Sequence, residues 1–359
     1  MSNKLWIVIA FFSSLIIFVI IGIFNYKVDS LELLKESFYD KVAKELANGK
    51  IIAGLSNYDE RIFRKKQIEY LKNNVEYIAI GSSRTMMLRK NMFLNDGINN
   101  FQNYSVSGAS IEDYIALIQV HKNKFGKLPK NIILGLDAWI FNKNNEQTRY
   151  LSLNDEYLEF MKSLSSIKEI HQKNRSKVSY LLSLDYAKEN RIYYKKHKNK
   201  DLENLKYYIV DTINIDDALR MPDGSIYYPY KERFPNFDEV GKVAKSYAQG
   251  NVYSLEKYEK LSNLELFEEL VKYLKNNGVN IYFYLPPYNP ITYDILVSKD
   301  KYKFIEKSED YLRNFAKQND IKLVGSYNPH KYNLKNSDFF DVMHSLDIVY
   351  EIIFKDLLN

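Results

Sequence analysis

Apolar and polar positions divide this chain into one uninterrupted hydrophobic segment and a long alternating remainder. Residues 5–24 (LWIVIAFFSSLIIFVIIGIF) carry no charge. At a helical rise of about 1.5 Å per residue they span roughly 30 Å, the thickness of a bilayer's hydrocarbon core. A cleavable secretory signal has a shorter apolar region and ends in an Ala-x-Ala-like site. Here the run leaves through NYKVDS with no such site, so an uncleaved anchor helix is expected over residues 1–30. Lys4 precedes the helix, while Lys27 is soon answered by Asp29 and Glu32. That slight bias places the amino terminus inside and the body outside the cytoplasm, as a single-pass cell-membrane protein.

Beyond the anchor, residues 31–72 read as amphipathic helix (LELLKESFYDKVAKEL, then DERIFRKKQIEYLKNN) leading into the main domain. Short apolar runs then alternate with helical stretches. VEYIAI stops at Gly81 and NNFQNYSV at Ser107-Gly108; the helix IEDYIALIQVHKNKF sets Ile111, Ile115 and Ile118 on one face, and NIILGL follows. Late in the chain, a helix over 254–277 closes at Gly278, VNIYFYL follows, and KFIEKSEDYLRNFAKQ leads to IKLVGS. Strand–helix alternation predicts a parallel sheet with helices on both faces, in residues 73–141 and 255–359. Residues 142–254 break the rhythm. They contain the basic run YYKKHKNK (193–200) and the turn MPDGSIYYPY, and read as a mostly helical insertion over one sheet edge that shapes a substrate pocket.

Composition narrows the class. Apolar residues are 46% of 359, enough for a sizeable core, and the net charge of +6 is mild. Its lysines are interleaved with acids, and no nucleic-acid-binding motif accompanies them; a basic face fits an anionic membrane or polymer, not a nucleic acid. The absence of cysteine excludes a thiolate nucleophile, thiolate metal sites and a disulfide framework.

The chemistry-bearing positions lie where predicted strands end. A serine in Gly81-Ser82-Ser83 falls in the crevice beyond a strand's carboxyl end, where backbone N–H groups can serve as oxyanion donors. A serine hydroxyl needs a neighbouring base. Of His121, His171, His197, His330 and His344, the last stands out in SDFFDVMHSLD. Asp341, three residues earlier, shares its face on a helical turn and can fix the imidazole tautomer. Asp338, Asp341 and His344 form the one compact cluster; no metal or other cofactor is called for.

Gly81-Ser82-Ser83, Asn103-x-x-x-x-Gly108 and Asp341-x-x-His344, in that order, resemble blocks I, II and V of the SGNH/GDSL hydrolase superfamily. The resemblance implies a three-layer α/β/α, flavodoxin-like fold, with Ser83 as nucleophile, Gly108 as an oxyanion N–H, and Asp341 and His344 completing the triad. Two departures stand out. Gly-Ser-Ser-Arg84 replaces Gly-Asp-Ser, and Gly135-Leu136-Asp137 replaces the third block's Gly-x-Asn-Asp, so the usual oxyanion asparagine is missing. The resemblance leaves Ser82, Arg84, Asp137 and Asn142 as further oxyanion or substrate-binding candidates. Ser82 is expected to support the turn, Arg84 to meet an anionic acceptor or a local carboxylate, Asp137 to orient Arg84, and Asn142 to reach in as a donor. GSSR, GLDAW and MPDGS, with the anchor helix, are similar to the membrane-anchored DltD- and AlgJ/AlgX-like branch. That resemblance implies a membrane-bound O-acyltransferase as acyl-donor partner and transfer onto a cell-surface polysaccharide or teichoic acid. A carbohydrate esterase with the same triad, or a non-catalytic scaffold for the membrane enzyme, are the alternatives.

Overall fold

Strands and helices alternate through the computed structural model, which describes residues 3–29, 34, 37–56, 58–92, 100–145, 147–164, 177–197, 207–255, 257–258, 260–355 and 357. His171 and the end of the basic run, residues 198–200, lie outside the described residues. Helix α1 (Asn3–Val28) contains the apolar segment. Its stretch Leu5–Val28, whose most apolar 18 residues have mean hydropathy 3.0, is long and apolar enough to cross a membrane.

The lead-in is not continuous helix. α2 (Ser37–Ala47) ends at the Asn48-Gly49 turn, β1 (Ile51–Ala53) follows, and α3 (Glu60–Tyr70) starts at Asp59, whose side chain accepts the N–H groups of Arg61 and Ile62. Then come β2 (Tyr77–Ile80), β3 (Phe101–Asn103), α4 (Ile111–Phe125) and β4 (Asn131–Gly135). The Asp113 carboxylate takes the Ser110 N–H at the start of α4, and Gly126 ends that helix in the left-handed conformation.

The insertion contributes α5 (Asn154–Met161), α6 (Lys177–Leu181), α7 (Leu184–His197), β5 (Tyr208–Val210), β6 (Leu219–Arg220), β7 (Ile226–Tyr227), α8 (Tyr230–Arg233) and α9 (Phe237–Gln249). The insertion is mostly helical and adds these three short strands. They join β1 in a second sheet, ordered β5-β1-β6-β7, so the lead-in supplies the strand on which the insertion is built. The MPDGS turn packs against the main sheet's edge, where the Asp223 carbonyl accepts the Asn103 N–H at 2.7 Å.

The chain then adds α10 (Leu264–Asn276), β8 (Asn280–Leu285), α11 (Pro290–Val297), α12 (Phe304–Gln318), β9 (Lys322–Gly325) and α13 (Asp347–Phe354). α10 begins ten residues later than the periodicity of 254–277 predicts. Ser262 is held to the Phe141 carbonyl through both its N–H (2.7 Å) and its hydroxyl (2.6 Å), which draws the preceding loop out of helix.

The main sheet is wholly parallel, ordered β3-β2-β4-β8-β9. β2 and β4 are buried along their whole length, as their unbroken apolar runs require. In this order the chain reverses direction across the sheet between β2 and β4, and a crevice opens beyond their carboxyl ends. Thr85 fills the space between those ends: a Cβ added at Gly135 would lie 1.9 Å from its Oγ1. Gly135→Ala is therefore expected to cost roughly 1–3 kcal/mol through overpacking, read as a lower denaturation midpoint. An unchanged midpoint would show that Thr85 does not pack there.

Candidate active site

Ser83 stands just past the end of β2. The turn after it is closed by the N–H groups of Thr85 and Met86, both donating to the Ser82 carbonyl at 2.9 and 3.1 Å. From Gly81 to Arg89 every residue except Ser83 is buried. That separates the two serines. Ser82 is 0% exposed, its Oγ accepts the Arg84 N–H at 3.1 Å, and its hydroxyl lies against Asp137. Ser83 Oγ instead meets His344 Nε2 at 2.9 Å.

His344 and Asp341 sit on a tight loop, not on the helical turn expected from their spacing. Phe339 and Ser345 bridge in antiparallel fashion, and the Phe340 N–H donates to the His344 carbonyl at 3.1 Å. The loop is fastened by Asp341 itself, whose Oδ1 accepts the N–H groups of Met343 (2.8 Å) and His344 (2.7 Å). Its Oδ2 is 2.6 Å from His344 Nδ1. Burial pushes the Asp341 carboxyl up, but the imidazole and the two N–H groups outweigh it and hold the group below the usual carboxylate range. An ionised carboxylate only accepts, so the neutral imidazole carries its proton on Nδ1 and turns a free Nε2 lone pair toward Ser83. The Phe340 ring stacks on the imidazole at 5.6 Å, and Tyr228 of the insertion packs against it at 5.5 Å.

Of the two partners expected for Arg84, an anionic acceptor and a local carboxylate, the structure gives it the carboxylate and removes it from the substrate contacts. Arg84 is 1% exposed, and its guanidinium is spent inside the protein. Nη1 donates to Asp137 Oδ1 at 2.8 Å, Nε to the Met343 carbonyl at 3.2 Å, and Nη2 to the Pro286 carbonyl. The Tyr288 ring lies 4.1 Å beneath it. Asp137 is equally buried; desolvation raises its pKa, against the pull of Arg84 and the Ser82 hydroxyl. Ser82, Arg84 and Asp137 are therefore behind the cleft rather than in it. Asn142 is also turned away, its amide donating to the Ser254 carbonyl at 2.8 Å.

Gly108 does face Ser83 across the cleft. Among the described residues, no hydrogen bond within the chain uses the backbone N–H of either Ser83 or Gly108, and both residues line the cleft. Those two donors can serve an oxyanion without the missing asparagine. Gly108 has φ +53°, and an added Cβ would strike Arg149 Nη2 (2.3 Å) and Tyr253 Oη (2.4 Å). The preceding Ser107 is held from the lead-in, its N–H by Glu60 (2.7 Å) and its carbonyl by Arg61 (3.0 Å). Arg61 in turn makes a buried two-pronged pair with Asp113 at 2.9 and 3.0 Å. Asn103 contributes indirectly: its amide braces the Ser83 turn through the carbonyls of Thr85 (2.8 Å) and Leu88 (3.0 Å).

The cleft holds about 580 Å³, and its walls include residues that sequence reading missed: Trp139, Asn145, Gln147, Arg149 and Tyr253. All but Trp139 come from the two ends of the insertion, which meet over Gly108. Gln147 donates to the Gly108 carbonyl at 2.8 Å, and Arg149 donates to Tyr253 Oη at 3.0 Å. Among the described residues no carboxylate pairs with Arg149, so the cleft contains a cation with donors to spare. Two of the remaining histidines lie away from the cleft. His121 is buried against Tyr104, where desolvation lowers its pKa to about 4, and His330 lies 2.7 Å from Asp294 on the surface.

Compared with known proteins, the chain matches no protein-family model and no curated sequence.

Removing one partner of the Arg84–Asp137 pair strands a buried charge. Asp137→Ala is therefore expected to cost about 3–5 kcal/mol. The double variant Arg84→Met/Asp137→Leu should recover most of that stability, yet lower the reactivity of Ser83 toward a fluorophosphonate, because the Met343 and Pro286 carbonyls no longer have their common donor. Unchanged labelling in a stable double variant would show that Arg84 does not position the site.

Proposed function

We propose that this chain is an SGNH-type serine acyltransferase, tethered by α1 outside the cytoplasm and acting on hydroxyl groups of a cell-surface polysaccharide or teichoic acid. The observation that carries the reading is the unbroken relay from Asp341 through His344 to Ser83, with spacings of 2.6 and 2.9 Å, at the crevice of a parallel sheet. The strand order supports an SGNH-like three-layer architecture. A membrane-bound O-acyltransferase is the fitting donor partner for a body held at the membrane surface.

In the first half-reaction Ser83 Oγ adds to the donor's acyl carbonyl while its proton passes to His344 Nε2, and Asp341 stabilises the imidazolium. The oxyanion is received by the N–H groups of Ser83 and Gly108. Collapse expels the donor's leaving oxygen, which takes the proton from His344 and leaves an acyl ester on Ser83. In the second half, His344 takes the proton of an acceptor hydroxyl as that oxygen attacks the ester. The new ester leaves, and the proton returns to Ser83. The insertion's roof favours a bound sugar hydroxyl over water, and Arg149 suits a phosphate or carboxylate beside the accepting hydroxyl.

Ser83→Ala is expected to reduce polymer-bound acyl groups in cells to the level of a gene deletion, and to lower kcat on a soluble ester on the order of 10^6-fold. Unchanged polymer acylation in Ser83→Ala, with loss only on deletion, would make the chain a scaffold. Fast ester hydrolysis that no acceptor polymer suppresses would make it an esterase.

A further inference from the structure

The far end of α1 is not a bare stem. From Leu5 to Ile20 its large apolar side chains are exposed, but Gly22, Asn25 and Asp29 are buried. What covers them is the hairpin of α6 and α7. Gly22 lies against Leu181 and Leu182, each 3.6 Å from where its Cβ would be. The Asn25 amide donates to the carbonyls of Tyr180 (3.2 Å), Leu181 (2.9 Å) and Ser183 (3.0 Å), and its oxygen accepts from Asn190 at 3.0 Å. One turn on, Asp29 accepts the Tyr186 hydroxyl at 2.6 Å. Asn25, Asp29 and Asn190 are fully buried. Asp29 also accepts the Leu34 N–H at 3.1 Å, but the Asn25 amide finds its three carbonyls and Asn190 only in this docked position, which it therefore specifies.

Twenty helical residues from Leu5 span roughly 30 Å, so Asn25 marks the level at which α1 leaves the hydrocarbon and the hairpin meets it there. The outward face of α7 has a distinctive composition. Lys188, Arg191 and Lys195 recur at three- and four-residue intervals and form one stripe, which Leu184 continues at its start. Leu184 is 60% and the flanking Ile192 64% exposed, with Leu182 and Tyr194 also open. Asp185, paired with Lys188 at 3.0 Å, and Glu189 are exposed on the flank of the stripe, which leaves Arg191 and Lys195 as the cations beside Leu184 and Ile192. Exposed leucine and isoleucine in that setting are misplaced in water and well matched to the boundary between acyl chains and anionic headgroups.

We propose that the α6–α7 hairpin is an interfacial element, seated in the headgroup layer of the bilayer that α1 crosses, with Leu184 and Ile192 in the acyl boundary and Arg191 and Lys195 on lipid phosphates. This rests on the reading of α1 as a membrane anchor and adds a second attachment beside it. Its occupant is anionic phospholipid: the face is continuous with α1 at the level of Asn25, and its stripe is positively charged. The attachment also sets the height of the active site. Tyr180, whose carbonyl Asn25 holds, lines a cavity of about 500 Å³ that shares Ser107, Thr148 and Arg149 with the Ser83 cleft. That cavity adjoins the Ser83 cleft through these three shared residues.

The chain has no cysteine, so single nitroxide labels can be placed by Ile16→Cys in α1, Leu184→Cys and Ile192→Cys in α7, and Lys272→Cys on the exposed surface of α10. The full chain is reconstituted in protein-free vesicles of phosphatidylglycerol and phosphatidylethanolamine, and each label's collisions with oxygen and with a water-soluble nickel complex are compared. Labels at 184 and 192 are expected to favour oxygen over nickel several-fold relative to 272, at a depth shallower than 16. A deep label at 16 with 184 and 192 matching 272 would overturn the inference while leaving the anchor intact. A water-accessible label at 16 would overturn the anchor and the inference together. Protection of 184 and 192 in native membranes but not in protein-free vesicles would give the face to a protein partner and overturn its assignment to lipid.

Discussion

The buried guanidinium of Arg84 is the constraint on which the site's geometry depends. It follows Ser83 in sequence, so anything that fixes Arg84 fixes the Ser83 turn. Its three bonds reach the ends of two other strands and the loop that carries the imidazole: Asp137 after β4, Pro286 after β8, and Met343 beside His344. The Arg84 carbonyl also accepts the Tyr350 hydroxyl of α13 at 2.7 Å. Ser83 and His344 are 261 residues apart in the chain, and this one side chain ties their supporting segments together. A buried ion pair is rarely a net source of stability, because desolvation offsets the attraction. Its value here is specificity, since only one arrangement of four chain segments satisfies every donor.

The insertion and the lead-in complete what the sheet begins. A parallel sheet provides a crevice at its strand ends but no roof. The roof comes from Asn145, Gln147, Thr148, Arg149 and Tyr253, near the two points where the insertion leaves and rejoins the core. Gly108 sits under them without a side chain, which lets Arg149 and Tyr253 close over it. Below, Glu60 and Arg61 hold Ser107 from a segment that the helical periodicity of residues 31–72 presents as a stalk. The lead-in is thus part of the site's support, and β1 within it carries the insertion's sheet.

Much of this was legible in the sequence, and the limits have physical causes. Apolar runs of four to six residues, such as 77–80 and 131–135, declare buried strands because nothing polar interrupts them. Gly81-Ser82-Ser83 and Asp341-x-x-His344 are visible because short-range spacing brings each group together. For Arg84 the sequence leaves an anionic acceptor and a local carboxylate both open, because its partners are long-range and a sequence does not show which charges are buried together. Asp137, in the place of an expected asparagine, reads as orienting Arg84, and the two are paired at 2.8 Å. Arg149 and Tyr253, 104 residues apart, carry no local signal; a search for charged and aromatic residues at the insertion's two ends would have found them. The three residues of β1 were hidden because a strand so short leaves no period to detect.

The central claim is that Ser83 is an activated nucleophile, and the most direct measurement is covalent capture. Detergent-solubilised full-length chain would be treated with a fluorophosphonate and read by intact mass and peptide mapping. One adduct, on Ser83, abolished in His344→Ala, is the expected result. An adduct on Ser82, labelling that persists without His344, or no labelling of the folded chain would contradict the claim.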